Sequence, residues 1–434
     1  MLLIYTDSSS PRLLYTFDLI FRDILGIEYR LTQNVEGFKK SDSPKISYGT
    51  SPVGDKLFFE STSLLFEKDI RQQNITVSEW NGVKIFFQTS DKLTFPFDVF
   101  AATFYLVSRY EECLPFKGDS LGRFSSKESL AYKNGFLQKP LVNIWAEKIK
   151  EAIRQHFPNL VFPEKKYQFI STIDIDNAYA YKHKGLVRTL GGFAKDILNL
   201  NFKNSMNRLT TVLGFKKDVY DTYDELFSIQ EKHQFPSIYF FLLGDWGEKD
   251  KNVSAHNKIF RSLIQNISKR NECGIHPSFA SNANSEKISE EKKRLSNILN
   301  KEVTKSRQHF LMLRFPETYR NLIANGIKDD YTMGYADETG FRPSVCTPFY
   351  FYDLQKQEAT SLRIHSFAVM DTTLNLYLKI KPEQAHDFIQ PLINEVKAVN
   401  GTFISLWHNE SLSEVAPWIG WKNVYKEMVE KAIP

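Results

Sequence analysis

The chain has 434 residues, 42% of them hydrophobic and 25% charged, which is the usage of an ordinary globular protein with a sizeable core and excludes a disordered or fibrous one. Lys and Arg number 56 against 51 Asp and Glu, a balance of +5 spread evenly enough to exclude a nucleic-acid footprint. Three scattered cysteines, Cys113, Cys273 and Cys346, exclude a disulfide framework and a paired-thiolate metal site.

In chain order, short apolar runs at 1–5, 46–48 and 83–87 alternate with amphipathic stretches at 13–25 and 96–110, the pattern of a smaller α+β domain. The first residues lack a basic start leading into a long apolar stretch, and no run approaches the ~18 apolar residues of a membrane helix. A cytoplasmic protein with no integral membrane segment is therefore expected. Residues 108–113, followed by 122–124, crowd charges beside aromatics. They read either as a helix end laced with salt bridges or as a contact surface for a second domain or a ligand. The charged stretch from Pro158 to Lys166, which also holds Pro163, is the clearest break in pattern, so domains are expected at 1–160 and 165–434.

Beyond the break the rhythm becomes strand, loop, helix, repeated. Residues 167–173 and 237–243 read as strands, 222–233 and 256–270 as helices, 273–276 as a short strand end, and 285–301 as a charged helix. A helix at 315–325 stops at Gly326, another at 382–399 stops near Gly401, and 402–407 is again a strand. Strands alternating with helices imply parallel units, and about 270 residues of them suit one (β/α) barrel.

In such a barrel, reactive groups collect where strands end. The strand at 168–173 runs into Asp174 and Asp176, two carboxylates two residues apart and therefore on one side of an extended chain. His276 follows a short apolar run and is fixed by Pro277; Arg307 and His309 stand at a third boundary; His408 ends the apolar run at 403–407. Each alone also reads as a structural residue, but together they describe a metal or acid/base site. Carboxylate and imidazole ligands suit Zn, Fe, Co, Mn or Ni, and such an ion with a carboxylate base and an imidazole acid hydrolyses an amide or ester. Asp330, Asp337, Arg342 and Asp371 are further rim candidates, each also readable as a salt-bridge partner. Trp246, Trp407 and Trp418 could stack on sugar faces, although Trp407 in mid-strand equally suits the core.

The segment from Thr172 to Asp176 resembles the first motif of the polysaccharide deacetylase family, the carbohydrate esterase family 4 or NodB-homology fold. The run from Ser237 to Gly244, the segment from Glu272 to Ser278, Arg307 and the run from Phe403 to His408 resemble its later motifs in order, over about residues 165–434. The resemblance implies an α/β fold, a distorted (β/α) barrel of about seven parallel strands, here preceded by the smaller N-terminal domain. It implies Asp174 as general base, Asp176 and His276 as metal ligands, Arg307 as the group orienting the base, and His408 as general acid. Two departures stand out: Ile175 separates the two aspartates, and Ala280 occupies the place of the family's second metal histidine. His309 is the expected replacement ligand, ahead of His365 and His183. The implied function is removal of N- or O-linked acetyl groups from a carbohydrate or glycan precursor, with a divalent ion, zinc foremost, and with Trp246, Arg342, Asp337 and Trp418 as substrate contacts. The alternative is a degenerate barrel that binds glycan or protein without turnover.

Overall fold

The computed structural model describes residues 1–54 and 57–434. Its first sheet joins β1 (Leu2–Thr6), β2 (Tyr29–Thr32), β3 (Lys45–Gly49) and β4 (Leu57–Glu60) in the spatial order β2-β1-β3-β4, with every pair parallel. Helices make the first two crossovers. Pro11–Phe17, capped by the Ser10 hydroxyl accepting from Leu13 N–H, runs on as the wide-turned helix Asp18–Ile24, and Val35–Lys40 links β2 to β3. Such crossovers return the chain to run parallel. The region is thus parallel α/β, where the sequence pattern suggested α+β; the only antiparallel strands here are the small pair β5 (Ser78–Trp80) and β6 (Val83–Ile85), among the described residues.

The second sheet holds β7 (Gln168–Ile175), β8 (Ser237–Phe241), β9 (Glu272–Ile275), β10 (Lys305–Ser306), β11 (Asp329–Asp330), β12 (Phe349–Asp353), β13 (Glu358–Ile364), β14 (Val369–Met370) and β15 (Thr402–His408). The order is β12-β13-β11-β10-β9-β8-β7-β15-β14, and every contact from β11 to β14 is parallel. The strand pair β12/β13 is antiparallel and was not anticipated from the sequence. Only residues 365–368 separate β13, near one margin, from β14 at the other, and Phe367 N–H bonds Met333 O at 3.1 Å. The two margins therefore lie side by side and the sheet is curled.

Alternate side chains along each strand point to opposite faces, and the two faces here form different cores. Ile238 and Phe240 of β8 and Ile404 and Leu406 of β15 enter a small inner cluster with Leu311 and Met370. Tyr239, Phe241, Phe403 and Trp407 face outward into a larger core that also takes up the N-terminal sheet and helices, from Leu2 to Ala432. A close approach inside the sheet fixes Gly274 in β9, where a Cβ would lie 2.5 Å from the Phe240 ring and 2.8 Å from Lys305 O.

Candidate active site

The strand ends bring the predicted groups to one place. Asp174 pairs in register with His408 across β7 and β15. Asp176, His276, Arg307 and Asp371 each lie one residue beyond the last residue of β7, β9, β10 and β14, and His309 three beyond β10. The C-terminal edge of the parallel sheet thus carries Asp174, Asp176, His276, Arg307, His309 and His408.

Asp176, His276 and His309 each offer a ligand atom, and these atoms lie within 4.8 Å of one another. His276 Nε2 is 3.1 Å from Asp176 Oδ1, and His309 Nε2 is 3.3 Å from Asp176 Oδ2. Each ring's other nitrogen faces an acceptor: His276 Nδ1 meets Arg307 O at 2.6 Å and His309 Nδ1 meets Asp250 Oδ1 at 2.9 Å. A proton on Nδ1 satisfies those acceptors and leaves both Nε2 lone pairs aimed at a carboxylate, an arrangement that repels unless a cation sits between them. Asp176 Oδ1 is buried with no hydrogen-bond partner. Two imidazole nitrogens and a carboxylate therefore fit a divalent ion of the Zn, Fe, Co, Mn or Ni kind.

On one side, Arg307 Nη1 donates to Asp174 Oδ1 at 2.9 Å, its Nε to Tyr331 O at 2.9 Å, and its guanidinium lies over the Phe240 ring. On the other side, His408 Nδ1 meets Asp371 Oδ1 at 2.8 Å while its Nε2 faces Asp176 Oδ2 at 3.7 Å. Burial would lower the His408 imidazole, but Asp371 and then Asp176 override it and hold it protonated well above its ordinary value.

Asp174, Asp176, His276, His309 and His408 line a cavity of about 180 Å³ together with Leu311, Met370, Leu406, Tyr377 and Trp418. The N-terminal region reaches it through Arg123, whose guanidinium donates to Phe310 O at 2.7 Å and to the Tyr377 hydroxyl at 3.1 Å and pairs with Asp119 at 2.7 Å. Phe310 and Leu311, directly after His309, hold φ of 58° and 54°, so Arg123 fastens a left-handed turn behind that histidine.

Of the expected substrate contacts, Trp418 lines the cavity and the other three do not. Trp246 stands in solvent, 67% exposed. Arg342 is buried in a bidentate pair with Glu112 and donates to Gly334 O. Asp337 accepts from Ser125 Oγ at 2.6 Å and so ties the N-terminal region to the sheet. These three therefore lie outside the cavity, Arg342 and Asp337 at the seam with the N-terminal region and Trp246 at the surface. Asp330 accepts from Ser306 and Thr332, and His365 bonds Asp329; neither Asp330 nor His365 lines the cavity. Sequence reading missed Asp250, which lies in a loop with no periodic or motif signal. Asp371, one of the rim candidates and also readable as a salt-bridge partner, stands at the end of β14 and meets His408 Nδ1.

A family of unknown function, DUF7033, matches residues 2–158. No curated protein matches the chain. Among solved structures, one from Mycobacterium smegmatis described as a polysaccharide deacetylase is 12% identical with a TM-score of 0.39, over 63% of this chain and 86% of that one. A carbohydrate esterase family 4 pseudoenzyme from Bacillus anthracis is 13% identical with a TM-score of 0.29, over 62% of each chain. A polysaccharide deacetylase from Bacillus cereus is 12% identical with a TM-score of 0.29, over 62% of this chain and 88% of that one.

Proposed function

We propose that the protein is a metal-dependent hydrolase that removes N- or O-linked acetyl groups from a carbohydrate, acting in a distorted barrel of seven parallel strands from about residue 165 onward, with residues 1–160 as a separate α/β unit. The span of the DUF7033 match, 2–158, supports that division. The observation that carries the activity is the convergence of His276 Nε2 and His309 Nε2 on Asp176, with both Nδ1 atoms held by acceptors, between the Arg307–Asp174 and Asp371–His408 pairs.

A divalent ion, zinc foremost, held by Asp176, His276 and His309 would lower the pKa of a water and polarise the acetyl carbonyl. Asp174 takes the attacking water's proton at the carboxylate oxygen not held by Arg307, and Arg307 fixes the angle at which it does so. His408, kept protonated by Asp371, delivers a proton from Nε2 to the departing amine or alcohol. Leu311, Met370 and Leu406 give the methyl group of an acetyl an apolar wall. Arg123 acts as a positioning residue for the His309 turn, the task assigned here to the N-terminal unit. A barrel that only bound glycan would have no use for the Arg307–Asp174 and Asp371–His408 pairs.

The test is metal content and acetate release by purified protein offered acetylated sugars and glycans. About one divalent ion per chain and sustained acetate release are expected, and His309→Ala should strip the ion. Metal content unchanged by His309→Ala would remove that residue from the ligand set, and no acetate release from any acetylated glycan would leave the binding-only reading in place.

A further inference from the structure

Between β7 and β8 the chain makes a helical hairpin that is built inside out. Helices Leu186–Leu198 and Phe202–Val212 meet through polar side chains: Asp196 accepts from Arg208 Nε at 2.9 Å and from Asn204 Nδ2 at 2.6 Å, and Arg208 lies over the Tyr181 ring at 4.9 Å. Arg188 ties the first helix to the body through Asn252 O at 2.9 Å. The apolar stripes face water instead. Leu186, Leu190 and Ile197 are 82%, 66% and 55% exposed, and Phe202, Met206 and Leu213, at the same helical spacing, 66%, 58% and 60%. A hairpin serving only the fold would turn these inward, and an exposed apolar patch of this extent marks an interface.

The surrounding charge names the partner. Residues 182–217 carry eight Lys and Arg against one acid, Asp196, which is itself buried against Arg208, whereas the whole chain's excess is +5. The flanking Asp218 is buried too, accepting from the backbone N–H groups of Ala180, Tyr181 and Lys182. Lys217, at the edge of the stretch, is paired with Asp224 at 2.6 Å and with Asp221, and the other basic residues of the hairpin still outnumber its one acid. We propose that this hairpin docks the protein on the surface of an anionic lipid bilayer, with the apolar stripes sunk to the acyl boundary and the basic residues among the headgroups. Helices of 13 and 11 residues are about 20 Å and 17 Å long, short of the ~30 Å hydrocarbon core, and no described helix is long and apolar enough to cross it. They lie in the plane of the interface. A second copy is the poorer partner, because a two-fold contact would set this basic surface against itself. The hairpin leaves from the end of β7, the rim that carries the candidate active site, so docking turns that rim toward the bilayer. The inference is independent of the hydrolase reading.

The test is flotation of the full-length protein with vesicles of phosphatidylcholine alone and of phosphatidylcholine mixed with phosphatidylglycerol. Binding to the anionic vesicles only, weakened by salt, is expected. Leu190→Asp with Met206→Asp should lower it by roughly tenfold or more, and Lys195→Glu with Lys216→Glu should lower it independently. All four positions are exposed, and an unchanged circular dichroism spectrum shows that the fold survives. No flotation with either vesicle overturns the proposal, as does flotation undiminished in the Leu190→Asp, Met206→Asp variant. A wild-type dimer that this variant turns into monomers, with no lipid binding, overturns it in favour of a second copy.

Discussion

At the seam between the N-terminal region and the large sheet, Arg109, Glu111, Glu112 and Arg342 bury four formal charges. In the cleft, Asp174, Asp176, Arg307 and the three histidines bury a comparable set. The seam closes on itself. Glu112 accepts from Arg109 Nε at 2.7 Å and from two nitrogens of Arg342, while Glu111 accepts from Arg109 Nη2 at 2.8 Å and from Leu130 N–H at 2.7 Å. Among the described residues, none of these four side chains is left with an unpartnered buried polar atom. Burial would raise the Glu112 carboxyl, but Arg342 and Arg109 outweigh it and hold it below its ordinary value. The cleft leaves Asp176 Oδ1, Arg307 Nη2 and Gln308 Nε2 buried without partners. Unmade hydrogen bonds of that kind are costly. The seam spends its polar groups on architecture, whereas the cleft holds some in reserve for a ligand.

The widest separation between the two is expected from the base carboxylate and the seam carboxylate. Asp174→Asn should cut acetate release by roughly 10²–10⁴-fold while the ion stays bound, as measured by elemental analysis of the same sample. A variant that still turns over would require another base. Glu112→Gln should do the reverse. It leaves Arg342 without its carboxylate, so denaturant unfolding should show a loss of about 3–5 kcal/mol, with metal content per folded chain unchanged. If Glu112→Gln strips the ion without loss of stability, the seam is no mere scaffold.

Much of this was legible because hydrophobic pattern and strand-end chemistry coincide in the second half. The unbroken apolar runs of β8 and β15 announce strands buried on both faces, and the polar residues that end them stand where a parallel sheet exposes its reactive edge. His309 was readable for the same reason, once Ala280 had removed the alternative. Three kinds of feature were not readable. Asp250 reaches His309 from a loop 59 residues away in sequence, with no periodicity to announce it. Arg342 and Asp337 satisfy the same strand-end rule as the cleft residues, and only their partners, Glu112 and Ser125, reveal that they belong to the seam. The hairpin was not read from the sequence at all, and the outward turn of its apolar stripes goes with the Asp196–Arg208 contact, which spacing does not specify.

Glu291 lies between the two regimes, a buried acid with no ion pair within 4 Å among the described residues. Burial pushes its carboxyl from the ordinary 4.5 up to about 7, against the pull of the Ser278 Oγ and N–H donors. The folded state thus holds this proton more tightly than the unfolded chain. The stability it contributes is fully present below about pH 4.5 and is lost as pH rises through about 7, a swing of about 3 kcal/mol. Glu291→Gln keeps an acceptor for Ser278 N–H and removes the titration. The stability difference between wild type and variant should therefore shrink from pH 4.5 to pH 8 by about that amount in denaturant unfolding, and a constant difference would place the carboxyl in solvent.

The smallest expected effect tests whether the seam region and the cleft are independent at all. Arg123 comes from the N-terminal region, yet its guanidinium holds Phe310 O, one residue past His309. A non-glycine residue in the left-handed region costs about 1–2 kcal/mol, and Phe310 and Leu311 are two in succession. Arg123→Ala removes the bond that favours this turn and leaves the carbonyl without its donor, so His309 should sample positions away from Asp176. The expected result is metal binding weakened by up to about tenfold, read by competition with a chromophoric chelator, with partial recovery in Arg123→Lys, which restores a single donor. His276, held by Arg307 O within the sheet, should be unaffected, so the loss should be far smaller than that of His309→Ala. Metal affinity identical to wild type would mean that the sheet alone positions His309, and that the N-terminal region meets the cleft without supporting it.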